Sequence, residues 1–433
     1  MFDLKNIKIN EEFDSYYQEN HTVSVNFENN KLKDINESFT SGVGIRVIKD
    51  NKVGFASTSD LTSINEMVNL AIENSKFGEK AYFNISNQKF QQKNLNLLSR
   101  DIENLDIEYM VEMGNDILNN TIKKINNNTF INIEIEKSIY QKSYFNSNNL
   151  YFEDKKSLFE CGISIFQAEE NNFIEIGDMR IDTLLISKNE LDSMIEKILL
   201  YYDFSKRVVD FTTGYYPVYF TPKAFRYLIS FLIESLNGKL IEKKISFFTD
   251  KIGEKFSEKN ISIVDNPLME SKSGSFSFDG DGINPEKIYL IKDGIVNDYI
   301  LDLQTGGKLN KKSNGHAGRS YNSLPSPIFS NIIFEFNKKS REDDIICSID
   351  KGIIVDALLG AGQSNILGGE FSANIESGYV VEKGKIKGRL KNSMISGNLF
   401  EIFNKLVAIT EDSINYRNIF SRGALFDNLS IAV

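Results

Sequence analysis

Histidine is almost missing from this chain: 433 residues contain two, His21 and His316, each isolated from Glu or His at helical spacing. A zinc centre needs three or four His, Cys or carboxylate donors converging on one point, so this polypeptide is not expected to build a catalytic metal site alone. Cysteine is equally scarce. Cys161 and Cys347 lie far apart and in no CxxC spacing, which reads as two buried free thiols in a reducing cytosol. No stretch approaches the ~20 apolar residues of a membrane span. The opening MFDLKNIKINEEFD lacks the basic and apolar regions of a signal peptide, so a soluble cytoplasmic protein is expected. Clustered positive charge is missing too. Fifty Lys and Arg are interspersed with sixty Asp and Glu for a net charge of −10, which argues against a nucleic-acid surface.

What is present is ordinary for a globular chain, with 41% hydrophobic and 25% charged residues. The length exceeds what one core supports, so two or three domains are expected. The polar stretch Ser205–Gly214 marks the boundary, giving 1–210 and 211–433, with a sub-boundary near residue 100. In the first part, Val23, Val25 and Phe27 alternate with polar residues, Asn29-Asn30 signals a turn, and Leu32–Asn36 returns. A second hairpin joins Gly44–Ile48 to Val53–Ser57 through Asp50-Asn51. Ser63 to Glu66 fits a capping box ahead of a helix, and a further helix is predicted at about Leu105–Ile125. Strands follow at Phe130–Tyr140, Leu150–Phe152, Leu158–Gln167 and Phe173–Ile181, then a helix at about Asn189–Tyr202.

The second part is organised around Thr221–Gly238. Thr221 is a good N-cap, Pro222 suits the first helical position, and Gly238 supplies a stop. Between them the helix is apolar except for Arg226, Ser230 and Glu234, which fall four apart as a narrow polar stripe, so a buried helix is predicted. Strands and Gly-rich turns surround it, including a hairpin of Ile288–Ile291 with Ile295–Leu303. The fold class is therefore α+β: an N-terminal antiparallel sheet with helices, then a mostly β domain, curled or barrel-like, around a buried helix.

Few motifs carry chemistry. Asp279-Gly280-Asp281-Gly282 reads as a tight turn, because a calcium loop starting at Asp279 would place Leu290 where Glu is required. The run Leu359-Gly360-Ala361-Gly362-Gln363 contains neither GK[ST] nor GxGxxG, so no phosphate cradle is expected. The loop Ser313–Tyr321 combines small residues with His316, Arg319 and Tyr321, which suits either a ligand-lining or an ordinary surface loop. A Ser–His–Asp triad through His316 has no GxSxG elbow behind it.

Taken in order, Ser41-Gly42-Val43-Gly44-Ile45-Arg46-Val47, Val53–Leu61, Phe278–Gly282, Asp293-Gly294 with Leu301–Thr305, and Ile395–Leu399 resemble the TldD/PmbA family. The resemblance spans nearly the whole chain. It implies an N-terminal α/β layer, a strongly β C-terminal domain, and a dimer around an internal cavity. It also implies two subunit types. TldD types carry HExxxH on the central helix and a cysteine near the C-terminus, and these bind the metal. PmbA or TldE types lack them and pair with the first. Here Leu228–Leu240 has no histidine and no cysteine follows Cys347, so the chain resembles the second type. The resemblance thus implies a non-catalytic subunit of a cytosolic metallopeptidase acting on unfolded peptides, with no catalytic or metal residues of its own and zinc on a TldD-like partner. His316, Arg319, Tyr321, Gly368 and Gly369 are the candidates for lining the substrate chamber. The alternatives are a stand-alone homodimeric peptide-binding or scaffold protein, and a hydrolase using His316.

Overall fold

The alternating segments assemble into one long-stranded antiparallel sheet in this computed structural model, which describes residues 3–88, 92–125, 128–169, 172–360 and 368–433. Its strands are β1 (Glu12–Glu28), β2 (Lys31–Lys49), β3 (Lys52–Thr58), β4 (Thr129–Asn146), β5 (Tyr151–Glu169) and β6 (Asn172–Asp182), in the order β3-β2-β1-β4-β5-β6. Asn29, Asn30, Asp50 and Asn51 all take positive φ, the backbone that two-residue hairpins require and that Asn and Asp tolerate. Helices α1 (Ile64–Asn74), α2 (Ile107–Ile122) and α3 (Lys188–Ser205) accompany the sheet. Val23, Val25, Phe27, Ile131, Ile133 and Ile135 share one face and form a common core with α2 and α3.

Beyond Ser205 come β7 (Gly214–Phe220), α4 (Pro222–Glu234), α5 (Gly238–Glu242), β8 (Ile261–Asp265), β9 (Ile288–Lys292), β10 (Ile295–Val296), α6 (Leu303–Lys308) and β11 (Ile332–Phe336). Then follow β12 (Lys351–Leu359), β13 (Glu370–Glu382), β14 (Ser393–Asn398), β15 (Ile414–Tyr416), β16 (Ile419–Ser421) and β17 (Ala424–Ala432). Strands β7, β12, β13, β14 and β17 close on themselves because β17 pairs with both β14 and β7, giving a barrel. A second sheet runs β10-β9-β8-β11-β16-β15. Helix α4 shares a core with both, and Phe225 packs edge-on to Phe334 of β11 and against Phe426 of β17. The α+β class and the barrel-like C-terminal domain around a helix hold.

Several local expectations change. The strands expected at Leu150–Phe152 and Leu158–Gln167 are one strand starting at Tyr151, because cross-strand pairing to β4 carries through the charged residues between them. Only Ile295–Val296 of the segment Ile295–Leu303 is strand, since Asp302 caps α6 through the Thr305 amide. Ser63 makes no capping bond to α1; its hydroxyl donates back to the Asp60 carbonyl. Gly238 opens α5 rather than stopping α4. A Cβ there would lie 2.6 Å from the Ile300 carbonyl oxygen, so close approach selects the glycine. Cys161 is buried as expected, but Cys347 is exposed. Ala361, Gly362 and Gln363 of the Gly-rich run lie outside the described residues.

Candidate functional site

The face of the sheet opposite α2 and α3 carries polar residues, and the C-terminal domain covers it. At the Asp14 end the cover is tight. Asp14 lies beside Arg46 of β2, which also reaches Asp281 at 2.8 Å, while Arg319 donates to Asp14 at 2.7 Å. The side chains of all four are almost wholly buried. Burial disfavours charge on Asp14, but Arg319 and Arg46 outweigh it and hold the carboxyl below its usual range. Asp279 accepts from the amides of Asp281, Ile283 and Ala317. Burial and the neighbouring Asp281 push its pKa up to about 7. The glycines follow from the same crowding. A Cβ on Gly44 would lie 2.1 Å from the Tyr321 carbonyl oxygen, and one on Gly42 would strike the Tyr321 ring.

Arg319 and Tyr321 are thus brought together at this joint. His316 is wholly buried nearby, with Nδ1 at 2.9 Å from the Asn314 carbonyl oxygen and Nε2 at 3.4 Å from Asp265. The loop is therefore interior, not a surface loop. Burial works against the imidazolium, but Asp265 outweighs it and raises the pKa. Ser330 also bonds Asp265, placing the carboxylate between Ser and His. A nucleophilic triad needs the histidine between them. Gly368 and Gly369 meet Asn398, Leu399 and Phe400 in the barrel domain instead.

At the other end of the same face the cover is loose. A cleft of about 520 Å³ lies between the sheet, from Asn26, Glu134, Gly162 and Ser164, and the start of α4, from Lys223 and Arg226. Thr221 caps α4 through the Ala224 amide and donates its own hydroxyl to Asp356 at 2.9 Å. Lys223 pairs with Asp356 at 2.5 Å and donates to the Gly177 carbonyl. Burial opposes its charge, yet Asp356 and Asp178 hold the ammonium above its ordinary pKa. Asp178 in turn accepts from Arg180 at 2.8 Å and from the Tyr416 hydroxyl at 3.0 Å. Arg226 lies over the rings of Tyr227 and Tyr416, 4.9 Å from each centroid. Sequence reading singled out Arg226 as part of a stripe, but Asp178, Gly162 and Tyr416 carried no motif and were missed.

This is the helix on which a metal centre would have to be built. Its polar stripe offers Arg226, Ser230 and Glu234, one cation and one carboxylate, while both imidazoles are engaged elsewhere: His316 on Asp265, His21 on Glu37 at 2.6 Å. Among the described residues no three His, Cys, Asp or Glu converge as ligands. This donor set does not fit zinc.

Comparison with known proteins decides the family. The PmbA/TldA metallopeptidase C-terminal domain matches residues 213–433, and PmbA/TldA metallopeptidase domain 1 matches residues 13–75. The chain belongs to the PmbA/TldD family. A metalloprotease PmbA homologue of Buchnera aphidicola subsp. Acyrthosiphon pisum is 25% identical, over 98% of this chain and 94% of its own. The metalloprotease TldD homologue of the same organism is 33% identical, over only 35% of this chain and 31% of its own. The crystal structure of TldE from Thermococcus kodakarensis has the same fold, with a TM-score of 0.88 at 20% identity, covering 98% of this chain and 97% of that one.

Proposed function

We propose that this PmbA/TldD family chain is a TldE-like, non-catalytic subunit of a cytosolic metallopeptidase that acts on unfolded peptides. The observation that carries the reading is the content of α4, which turns Arg226 toward the interdomain cleft and has neither histidine nor cysteine. Zinc, the activated water and the general base would come from a separate TldD-like chain bearing HExxxH. This chain would complete the chamber and hold an extended substrate.

A strand edge suited to that task exists. Residues 31–42 of β2 pair with β1 on one side, whereas β3 pairs only with Val43–Lys49. Leu32, Ile35 and Phe39 are exposed along this stretch, whose second edge has no strand partner among the described residues. Main-chain pairing there would tolerate many peptide sequences.

The test is native isolation followed by peptide hydrolysis. The expected result is recovery of a stoichiometric HExxxH-bearing chain, with chelator-sensitive cleavage by the mixture and none by this chain alone. Chelator-sensitive cleavage by the purified chain overturns the reading. Recovery of a pure homodimer favours the scaffold alternative.

A further inference from the structure

We propose that the cleft at the start of α4 is a carboxylate-binding site, in which Arg226 clamps a carboxylate of an extended peptide. The inference rests on the peptide-holding role proposed above and names the group that would be recognised.

Charge in the cleft is unevenly matched. Lys223 is held by Asp356, Lys33 by Glu28, and Asp178 by Arg180 and Tyr416, while Asp34 accepts from the side-chain amides of Asn26 and Asn36 and Glu134 also lines the sheet wall. Arg226 has no carboxylate within ion-pair reach among the described residues. Its Nη2 donates to the Tyr227 hydroxyl at 3.3 Å, and its buried Nε finds no acceptor among the described residues. The guanidinium bordering the cleft thus lacks an anionic partner among the described residues, and an incoming carboxylate would supply one. The two tyrosine rings restrict the guanidinium beforehand, so little side-chain entropy remains to be lost on binding. Arginine in such a setting matches a carboxylate with two parallel N–H···O bonds.

The opposite wall leaves room. A Cβ on Gly162 would meet nothing closer than Met179 Cβ at 3.9 Å, so packing does not demand the glycine. The missing side chain instead enlarges the cleft that Gly162 lines. The joint glycines Gly42 and Gly44 differ, since each is forced by a contact well under van der Waals distance.

The carboxylate has two sources, the peptide C-terminus or an acidic side chain. Calorimetric titration of the purified full-length chain with three unstructured Ser/Gly octapeptides separates them: one with a free C-terminus, its C-terminal amide, and the amide with one central Glu. At least one carboxylate-bearing peptide is expected to bind ~10–100-fold more tightly than the neutral amide, the range of a charge-assisted bond. Which of the two binds identifies the source. Arg226→Ala is expected to abolish that preference and Arg226→Lys to keep part of it. Gly162→Val is expected to weaken the preferred peptide with the fold intact by circular dichroism. Equal binding of all three peptides, absence of binding by any, or a preference that survives both Arg226→Ala and Gly162→Val overturns the proposal. Recovery of the HExxxH partner is read in a separate experiment, so either idea can fail without the other.

Discussion

Two ends of one sheet face teach opposite lessons. Asp14 and Asn26 lie on the same strand and the same face, twelve residues and so roughly 40 Å apart. Around Asp14 the C-terminal domain fits so closely that two arginines and two aspartates lie out of water, matched to one another. Around Asn26 the same domain stands off and leaves a cleft holding a cation without a carboxylate partner among the described residues. Burial of matched charge fixes how the domains meet; incomplete burial leaves a place for something else.

The sharpest way to break that contrast is Asp14→Ala, which leaves buried Arg319 without a carboxylate among the described residues and Arg46 with Asp281 alone. Removing one partner of a buried ion cluster costs about 3–5 kcal/mol, so a large fall in the urea midpoint is expected. Gly44→Ala tests shape rather than charge at the same joint. Its methyl collides with the Tyr321 carbonyl, and overpacking of this kind costs about 1–3 kcal/mol in chemical denaturation. At the loose end, Arg226→Ala and Gly162→Val are expected to change stability by about 0.5 kcal/mol or less, as for substitutions away from packed features. A loss comparable to that of Asp14→Ala would show that the cleft is as much a part of the joint as its other end.

A gentler probe is pH. Asp279 is raised to about 7 and Asp302 to about 6, in both cases chiefly by burial and then by Asp281. A carboxyl raised on folding binds its proton more tightly in the native state. It therefore favours folding below the unfolded carboxylate pKa of about 4, and that stability is lost as pH rises through the native value. The thermal midpoint should fall from pH 4.5 to pH 7 at the joint's expense. In Asp279→Asn the midpoint is lower throughout, but its slope over that window is shallower. An unchanged slope would remove Asp279 as its source.

Much of this architecture was legible in the residues. The apolar positions of β1 and β4 recur every second residue, so strand and face followed from Val23, Val25, Phe27 and Ile131 to Ile135, and the first turn from Asn29-Asn30, but not the full strand lengths or the β1–β4 pairing. Thr221 and Pro222 announced the start of α4. The polar face misled for the same reason: alternation of polar residues looks alike whether water or another domain lies above them. Asp279 to Gly282 read as a plain turn because its partners, Arg46 and Ala317, are distant in sequence. His316, Arg319 and Tyr321 drew notice as a chemically dense loop, but only packing reveals that it is interior.

The amino-acid order alone determined the strands, the helix at the centre of the second domain, and the lack of histidine and cysteine on that helix. These follow from local periodicity and from counting, which need no neighbours. Tertiary structure alone decided which charges are buried together and where a gap remains, because those depend on residues from remote strands meeting across a domain boundary. Arg46 finds Asp281, whereas Arg226 finds two tyrosines and no carboxylate among the described residues, a difference that no spacing in the chain encodes.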